Sequence, residues 1–424
     1  GTEVLAVRPV PATAAAAAEP PLSVLLSAPY IMPHLARFVP LLESFGLSVV
    51  VADVEERLEE GQLLGYAGQF DGIVCGDDQF TEAVYRTWRP RLKVVSKWGT
   101  GIDSIQKPMA KRFGVMVGNT PNAFTKPVAD SVMGYMLAFA RQQPWMDRGM
   151  KAGTWCKILG RSLSECTVGV IGVGNIGKAV LKRASGFGAT LLGNDIVEID
   201  PEFVSRYEVS MVSLEELLRR SDFVSINCTL TEESRHLINH QTAALFKDGA
   251  VLINTARGPH VQEEALVAAL RSGKLAGAAL DVFEQEPLPR SSALYTMDQV
   301  MLAAHNSNSS PAAHENVQWN TIRNLLKGLG VPYEDFPMDI PFHAYSSLKF
   351  DDQMAAAAKA SAPTAGGVPS AAASASAATT SASAPPPSHT SNMGNGTGLV
   401  NGGPRASAGA GAVAGDAPAP MASV

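Results

Sequence analysis

Short runs of apolar and β-branched residues alternate with longer amphipathic stretches between residues 22 and 342. Runs of this kind are typical of buried strands, and the longer stretches between them are typical of helices. A first series of strands is predicted at 23–27, 47–51, 72–75, 93–96 and 115–117. A second series is predicted at 167–171, 190–194, 223–227, 250–254, 277–282 and 300–303. The alternation predicts an α/β fold with two doubly wound parallel sheets, each covered by helices.

Two long helices are predicted outside these series. An apolar helix is expected from about 127 to 148, because Pro127 suits the first helical turn after Thr125. The segment 311–329 has the period of an amphipathic helix, and its apolar face consists of Trp319, Ile322, Leu325 and Leu326.

Both ends of the chain lack this pattern. Residues 1–21 are rich in Ala, Pro and Thr, and no Phe, Trp or Tyr occurs after Phe350. Because such composition cannot bury enough apolar surface to offset the entropy of ordering, we predict disorder at 1–21 and at 343–424. Whether the C-terminal tail is inert or binds a partner stays open. The predicted domains are 22–126 with 308–342, and 127–307.

Charge and cysteine content exclude several classes of protein. The net charge is −6 and no basic stripe is present, so neither nucleic acid nor a membrane surface is an expected partner. No apolar run approaches the ~20 residues that span a bilayer. The four cysteines form no CxxC pair, which indicates neither a metal site nor a disulfide framework. A cytoplasmic protein is expected; an organelle such as a plastid, after removal of a transit peptide, is the alternative because the first residue is Gly.

A glycine-rich turn stands between a predicted strand and a predicted helix that begins near Asn175. The sequence of this turn is Gly172-Val173-Gly174-Asn175-Ile176-Gly177. Its glycines suit a tight turn, close approach of a pyrophosphate, and close packing of helix on strand. Asp195 follows Gly177 by eighteen residues, at the end of the next strand, where a carboxylate can bind ribose hydroxyls. No Arg follows Asp195, so the motif predicts NAD rather than NADP.

Three ionisable residues follow later strands of the same predicted sheet: Arg257, Glu286 and His305. Because ligands of open α/β sheets bind beyond the carboxyl ends of the strands, all three are expected beside the dinucleotide. A guanidinium offers a planar fork for a carboxylate, and a histidine held by a carboxylate exchanges protons near neutral pH. Beside a hydride carrier, this set indicates carbonyl–alcohol interconversion.

These residues lie within strings that resemble the D-2-hydroxyacid dehydrogenase family, and phosphoglycerate dehydrogenases in particular, over roughly residues 65–330. The matching strings are KWGTGIDSI (97–105), NTPN (119–122), VGVIGVGNIGKAV (168–180), INTARGPHV (253–261), GAALDVFEQEPLP (277–289) and the His305 region. The resemblance implies that Arg257 binds the substrate carboxylate and carbonyl. It further implies that Glu286 orients and charges His305, which acts as acid and base.

The resemblance also implies the rest of the site. A flavodoxin-like first domain would bind the substrate, with the amides of Thr100 and Gly101 contacting its carboxylate. A Rossmann second domain would bind NAD and form a homodimer. The implied cofactor set extends the glycine motif and Asp195 by Thr229, Thr255, Ala256 and Asp281.

The chain departs from the family pattern in three places. Residues 306–310, Asn-Ser-Asn-Ser-Ser, replace the usual Gly-Gly or Gly-Ala after the histidine; they either contact substrate or cofactor, or cap the next helix. Asp77 and Asp78 follow Gly76 where a phosphate-contacting Arg is usual, which disfavours a phosphorylated substrate, although Lys97 keeps one cation nearby. His260 replaces an aliphatic residue and is expected at the surface, or in contact with the substrate.

Together these features predict an NAD-dependent 2-hydroxyacid dehydrogenase or 2-ketoacid reductase that needs no metal. The alternative is an NAD(H)-sensing interaction protein resembling the C-terminal-binding-protein corepressors, because a fold does not determine a function.

Overall fold

The computed structural model describes residues 7–9, 21–155 and 157–335. The prediction of disorder at 343–424 lies outside these residues, as does most of 1–21. Within 1–21, however, Val7–Pro9 form a strand that pairs antiparallel with Tyr333–Asp335, and Val7 is fully buried. The prediction of disorder was therefore wrong for this short segment, because its pairing partner is distant in sequence.

Strands fall close to the predicted positions. In chain order, the described residues contain β1 Val7–Pro9, β2 Ser23–Leu26, β3 Ser48–Val51, β4 Gly72–Cys75, β5 Val94–Lys97, β6 Met116–Gly118, β7 Thr167–Ile171, β8 Thr190–Asn194, β9 Ser210–Met211, β10 Phe223–Ile226, β11 Ala250–Asn254, β12 Leu275–Leu280, β13 Val300–Leu302 and β14 Tyr333–Asp335. The ends of the predicted strands differ from these by no more than two residues.

Two parallel sheets dominate the fold. The first has the order β3-β2-β4-β5-β6, and the second has the order β13-β12-β11-β10-β7-β8-β9. In each sheet the strand order reverses once, beside β2 and beside β7, and such switch points open a crevice at the carboxyl ends of the strands. The predicted α/β class with two doubly wound sheets is therefore confirmed.

Helices cover these sheets. In chain order, the described helices are α1 Leu35–Ser44, α2 Glu60–Gly65, α3 Glu82–Trp88, α4 Lys107–Arg112, α5 Thr125–Ala140, α6 Gln143–Lys151, α7 Asn175–Ser185, α8 Pro201–Arg206, α9 Leu214–Arg220, α10 His240–Ala243, α11 Glu263–Arg271 and α12 Pro311–Leu329. Across the described ranges, none of them is long and apolar enough to cross a membrane.

The single helix predicted at 127–148 is wrong, because α5 and α6 are separate. Gln142 adopts a left-handed conformation with φ of 56°, and its side-chain amide donates to the Phe139 carbonyl at 2.7 Å. Pro144 lies in the first turn of α6 and cannot donate the amide hydrogen that a continuous helix needs.

Helix α12 returns to the first sheet and packs across β4, β5 and β6. Close approach requires glycine: a Cβ on Gly118 would lie 2.7 Å from the Asn324 side chain, and a Cβ on Gly328 would lie 2.4 Å from Val94. Thr321 also accepts a hydrogen bond at its carbonyl from the Ser96 hydroxyl at 2.7 Å. The residues after His305 are thereby joined to the sheet that carries Lys97.

Candidate active site

A cavity of about 860 Å³ lies where the carboxyl ends of the two sheets face each other. One side, the cofactor wall, consists of residues that follow β7, β10 and β11: Gly174, Asn175, Ile176, Asn227, Cys228, Thr229, Thr255 and Ala256. The opposite side, the substrate wall, consists of residues at or after the ends of β2 to β5: Tyr30, Glu56, Gly76, Asp77, Lys97 and Trp98.

The glycine motif has the geometry of a phosphate-binding turn. Gly172 has φ of +86°, and a Cβ there would lie 2.5 Å from the Cys228 amide nitrogen. A Cβ on Gly177 would lie 2.0 Å from the Gly172 carbonyl oxygen, whereas a Cβ on Gly174 would meet nothing within 4 Å. The turn is therefore closely packed at Gly172 and Gly177. It leaves open space at Gly174, at the start of α7, where helix amide groups attract phosphate.

Asp195 stands directly after β8, beside this turn, and does not line the cavity itself. One carboxylate oxygen accepts from the Val173 amide at 2.7 Å, and the other accepts from the Val197 amide at 3.1 Å. The carboxylate is thus fixed at the edge of the glycine turn, with lone pairs remaining for further donors.

Several buried polar atoms in the lining of the cavity have no partner among the described residues. They include Trp98 Nε1, Asn227 Oδ1, Thr255 Oγ1 and Asn308 Oδ1. An unpaired buried polar atom is costly, so its position beside a cavity fits a polar ligand such as nicotinamide and its ribose. Ser310, which precedes α12, makes no side-chain capping bond, so capping does not account for this polar segment.

His305 is held in an unusual backbone conformation by Asp281. His305 has φ of 49°, and its amide donates to the Asp281 carbonyl at 2.8 Å. The Asp281 carboxylate accepts from the Asn306 and Ser307 amides at 2.7 and 2.9 Å. Left-handed backbone in a residue other than glycine is a strain that surrounding bonds must maintain, and such strain concentrates at functional sites.

Glu286 and His305 form a hydrogen-bonded pair. Glu286 Oε2 lies 2.9 Å from His305 Nδ1, while Glu286 Oε1 accepts from the Phe283 amide at 2.9 Å. Burial alone lowers the pKa of His305. The hydrogen bond and charge of Glu286 outweigh this effect, and the pKa of His305 is raised above its ordinary value. Burial likewise raises the pKa of Glu286, and the bond to His305 reverses this and lowers it.

Arg257 crosses from the second sheet to the first. Its Nε donates to Asp103 Oδ2 at 2.6 Å, and its Nη1 donates to the Ala256 carbonyl at 2.7 Å. A Cβ on Gly101 would lie 1.7 Å from Arg257 Nη2, so the guanidinium needs glycine at that position. Asp103 lies within KWGTGIDSI, but sequence analysis assigned it no role.

The loop that carries Thr100 and Gly101 is fixed by side chains. The Asn119 amide group donates to the Thr100 carbonyl at 2.7 Å, and the Thr100 hydroxyl donates to the Thr120 carbonyl at 2.8 Å. In the part of the chain that the structure describes, neither the Thr100 nor the Gly101 amide donates a hydrogen bond. Both therefore remain available to an anionic ligand beside Arg257.

On the substrate wall, the two aspartates behave differently. Asp77 faces Lys97, with the carboxylate 3.1 Å from Nζ; burial raises its pKa, but Lys97 and then Arg257 outweigh this and lower it. Asp78 points away from the cavity, where it accepts hydrogen bonds from the Ser27 hydroxyl and the Leu58 amide. Burial raises the pKa of Asp78 to about 6. Of the two aspartates, therefore, only Asp77 opposes an anion at Lys97.

His260 is neither a surface residue nor a cavity residue, so both expectations for it were wrong. It is fully buried behind Arg257, with Nδ1 3.1 Å from the Arg257 carbonyl oxygen. Its position in the tight 3-10 turn Gly258–His260 directs the ring inward, and burial lowers its pKa.

Fold and site together define an NAD-dependent oxidoreductase. Residues 133–307 match the family model described as D-isomer specific 2-hydroxyacid dehydrogenase, NAD binding domain. A glyoxylate reductase from Thermococcus onnurineus is 36% identical over 287 residues, which are 66% of this chain and 85% of that protein. A hydroxypyruvate reductase from Thermotoga maritima is 36% identical over 282 residues, which are 65% of this chain and 90% of that protein.

Solved structures show the same likeness. A glyoxylate reductase described as from Paecilomyes thermophila has a TM-score of 0.65 at 28% identity, covering 75% of this chain and 99% of that one. A D-lactate dehydrogenase from Aquifex aeolicus, complexed with NAD and lactic acid, has a TM-score of 0.64 at 25% identity, covering 74% and 100%. The chain belongs to the D-isomer specific 2-hydroxyacid dehydrogenase family, and its cofactor is NAD.

Proposed function

We propose that the enzyme reduces non-phosphorylated 2-keto acids, of which glyoxylate and hydroxypyruvate are the first candidates. The observation that carries the proposal is the Glu286–His305 pair, which lines the same cavity as Arg257 and the glycine turn. The relatives named glyoxylate reductase and hydroxypyruvate reductase support this substrate class. In this proposal residues 22–126 and 308–342 bind the substrate, and residues 127–307 bind the cofactor.

NADH, when bound, supplies the hydride that reduces C2 of the keto acid. The chain's own residues do the rest. Because Nδ1 of His305 is engaged by Glu286, its Nε2 is the nitrogen that delivers a proton to the ketone oxygen. The raised pKa of His305 keeps this proton in place near neutral pH.

Arg257 anchors the substrate in this proposal. Two of its nitrogens are engaged by Asp103 and the Ala256 carbonyl, which leaves Nη2 for the substrate carboxylate and for the negative charge that develops on the oxygen. The amides of Thr100 and Gly101 complete the carboxylate site from the opposite sheet.

A phosphorylated substrate is disfavoured by the substrate wall. Lys97 is the cation at its inner end, and it is already paired with Asp77 and donates to the Trp98 carbonyl at 2.9 Å. A phosphate would have to separate this pair and would meet the Glu56 carboxylate as well.

The proposal is tested by the initial rate of NADH oxidation with glyoxylate, hydroxypyruvate, pyruvate, phosphohydroxypyruvate and longer branched or aromatic keto acids. We expect turnover with the first two and a higher kcat/KM for hydroxypyruvate than for phosphohydroxypyruvate. Tight binding of NADH without reduction of any compound would instead favour an NAD(H)-sensing interaction protein.

We also propose a homodimer through the cofactor domain. The segment between α6 and β7 supports it, because Trp155 and Leu159 are 79% and 95% exposed and an interface there would cover their apolar surface. Sedimentation of the purified protein tests this: a monomer at micromolar concentration would contradict it.

A further inference from the structure

More acidic than basic residues line the cavity. Five carboxylates line it, from Glu56, Asp77, Asp103, Asp281 and Glu286, and three basic side chains line it, from Lys97, Arg257 and His305. Each basic side chain has one acidic partner: Asp77 for Lys97, Asp103 for Arg257, and Glu286 for His305. The Asp281 carboxylate is satisfied by two backbone amides.

Glu56 is the carboxylate left over. Among residues 7–9, 21–155 and 157–335, no side chain or amide hydrogen-bonds or ion-pairs with it. Glu56 lies in the loop between β3 and α2, lines the cavity and remains exposed, which places it at the mouth rather than at the bottom. A ligand that extends outward from His305 therefore passes this carboxylate.

Charged groups of the cavity act on the Glu56 carboxylate. Burial and then the charge of Glu286 raise its pKa, whereas the charge of His305 opposes this. Burial and then the charge of Glu56 raise the pKa of Tyr30 to about 12, so the Tyr30 hydroxyl keeps its proton. Glu286, His305 and Tyr30 line the same cavity as Glu56, so a ligand bound at His305 would lie in the field of the Glu56 carboxylate.

An aromatic ring lines the same cavity as this carboxylate: Tyr30 is 38% exposed, whereas Trp98 beneath it is 2% exposed. The rings of Tyr30 and Trp98 stack with centroids 4.4 Å apart and planes 15° apart, and both line the cavity. A carboxylate beside aromatic faces attracts organic cations, by ion pairing and by the negative potential of the ring faces. The same arrangement repels a second carboxylate or a phosphate.

We propose that Glu56, with the Tyr30–Trp98 stack, selects 2-keto acids whose side chain ends in a cationic group such as a guanidinium. The inference rests on the proposed function, because the keto acid end is taken to bind Arg257 and His305. The reaction is unchanged: a hydride from NADH forms the new bond at C2, the proton of His305 goes to the oxygen, and the distal cation takes no part.

Three keto acids of similar length test this selection: 5-guanidino-2-oxopentanoate (cationic), 2-oxooctanoate (neutral) and 2-oxoheptanedioate (anionic). Glyoxylate, which has no side chain, is the reference in every variant. In the wild-type enzyme we expect kcat/KM to be highest for the cation and lowest for the anion, with about fivefold between cation and neutral compound. Glu56→Gln should reduce the ratio of cation to neutral compound to about one, and Glu56→Lys should favour the anion.

Glu55→Gln is the matched control, because Glu55 is the adjacent exposed acid and does not line the cavity. It should keep the wild-type ratio. Glyoxylate reduction without any preference for the cation in the wild type, or a ratio that Glu56→Gln leaves in place, would overturn the inference while sparing the proposed function. Absence of turnover with all four compounds would overturn both.

Discussion

The cofactor wall and the substrate wall of the cavity are built from different parts of the chain. The cofactor wall depends on backbone geometry: Gly172 and Gly177 leave no room for a Cβ, and the start of α7 presents its amides. The substrate wall depends on side chains from four separate loops, among them Tyr30, Glu56 and Asp77. A binding site made of backbone tolerates little change, whereas a wall made of side chains can change its specificity by single substitutions.

The largest expected effect lies where the two walls meet. His305→Ala removes the proposed proton donor, so kcat for keto acid reduction should fall by roughly 10²- to 10⁴-fold. NADH affinity, measured by fluorescence titration, should stay near the wild-type value, because the proposal directs the ring toward the substrate. A large loss of NADH affinity would place His305 on the cofactor wall instead.

On the cofactor wall, Gly177→Ala should destabilise the protein strongly, although it adds only one methyl group. The added methyl group would lie 2.0 Å from the Gly172 carbonyl oxygen, so the turn must shift, at a cost of about 1–3 kcal/mol. We expect a lower Tm and weaker NADH binding. Gly134→Ala is the matched control, because Gly134 also lies in a helix and a Cβ there meets nothing within 4 Å. Equal effects of the two substitutions would show that the turn is not closely packed.

Glu286→Gln probes the pair that links the walls. The carboxylate of Glu286 raises the pKa of His305, so the neutral amide of Gln at this position should let that pKa fall. Reduction requires protonated His305 and declines as pH rises through its pKa. The decline in kcat/KM should therefore move to lower pH, and the rise in the oxidation direction should move the same way. Profiles that coincide with those of the wild type would make Glu286 a structural loop residue.

The smallest effect is expected at the edge of the cofactor wall. If Asp195 binds the ribose as predicted, Asp195→Ala removes acceptors for the ribose hydroxyls of NADH and also relieves repulsion of a 2′-phosphate. The ratio of Kd for NADH to Kd for NADPH should rise about fivefold. The substitution also removes the bond to the Val173 amide, which disturbs the turn for both cofactors alike. The ratio of the two Kd values cancels this common effect. An unchanged ratio would contradict the assigned role.

The sequence was informative where function depends on local pattern. The glycine turn and the strand ends before Arg257 and His305 follow from short-range periodicity, and the structure places them around one cavity. The break between α5 and α6 could have been predicted from Pro144, whose effect on a helix is local.

Contacts between distant segments could not be predicted in this way. Asp103 and Arg257 are 154 residues apart, and the Glu56 loop reaches the cavity only because β3 and β2 pair as they do. His260 is buried because a 3-10 turn directs its ring inward, and the pattern of apolar residues along the chain does not predict such a turn. The substrate wall is assembled from side chains of several loops, so its composition depends on the topology of the sheet. The pattern of residues along the sequence does not specify that topology.

The central claim is that this cavity transfers hydride to a keto acid and does not merely bind NAD(H). The most direct measurement uses NADH fully deuterated at C4 of the nicotinamide, incubated with glyoxylate, with the product analysed by mass spectrometry. Our account predicts glycolate carrying one deuterium at C2, in step with NADH consumed, and almost none with His305→Ala. Glycolate without deuterium, or bound NADH that persists unreacted beside every keto acid tested, would contradict it.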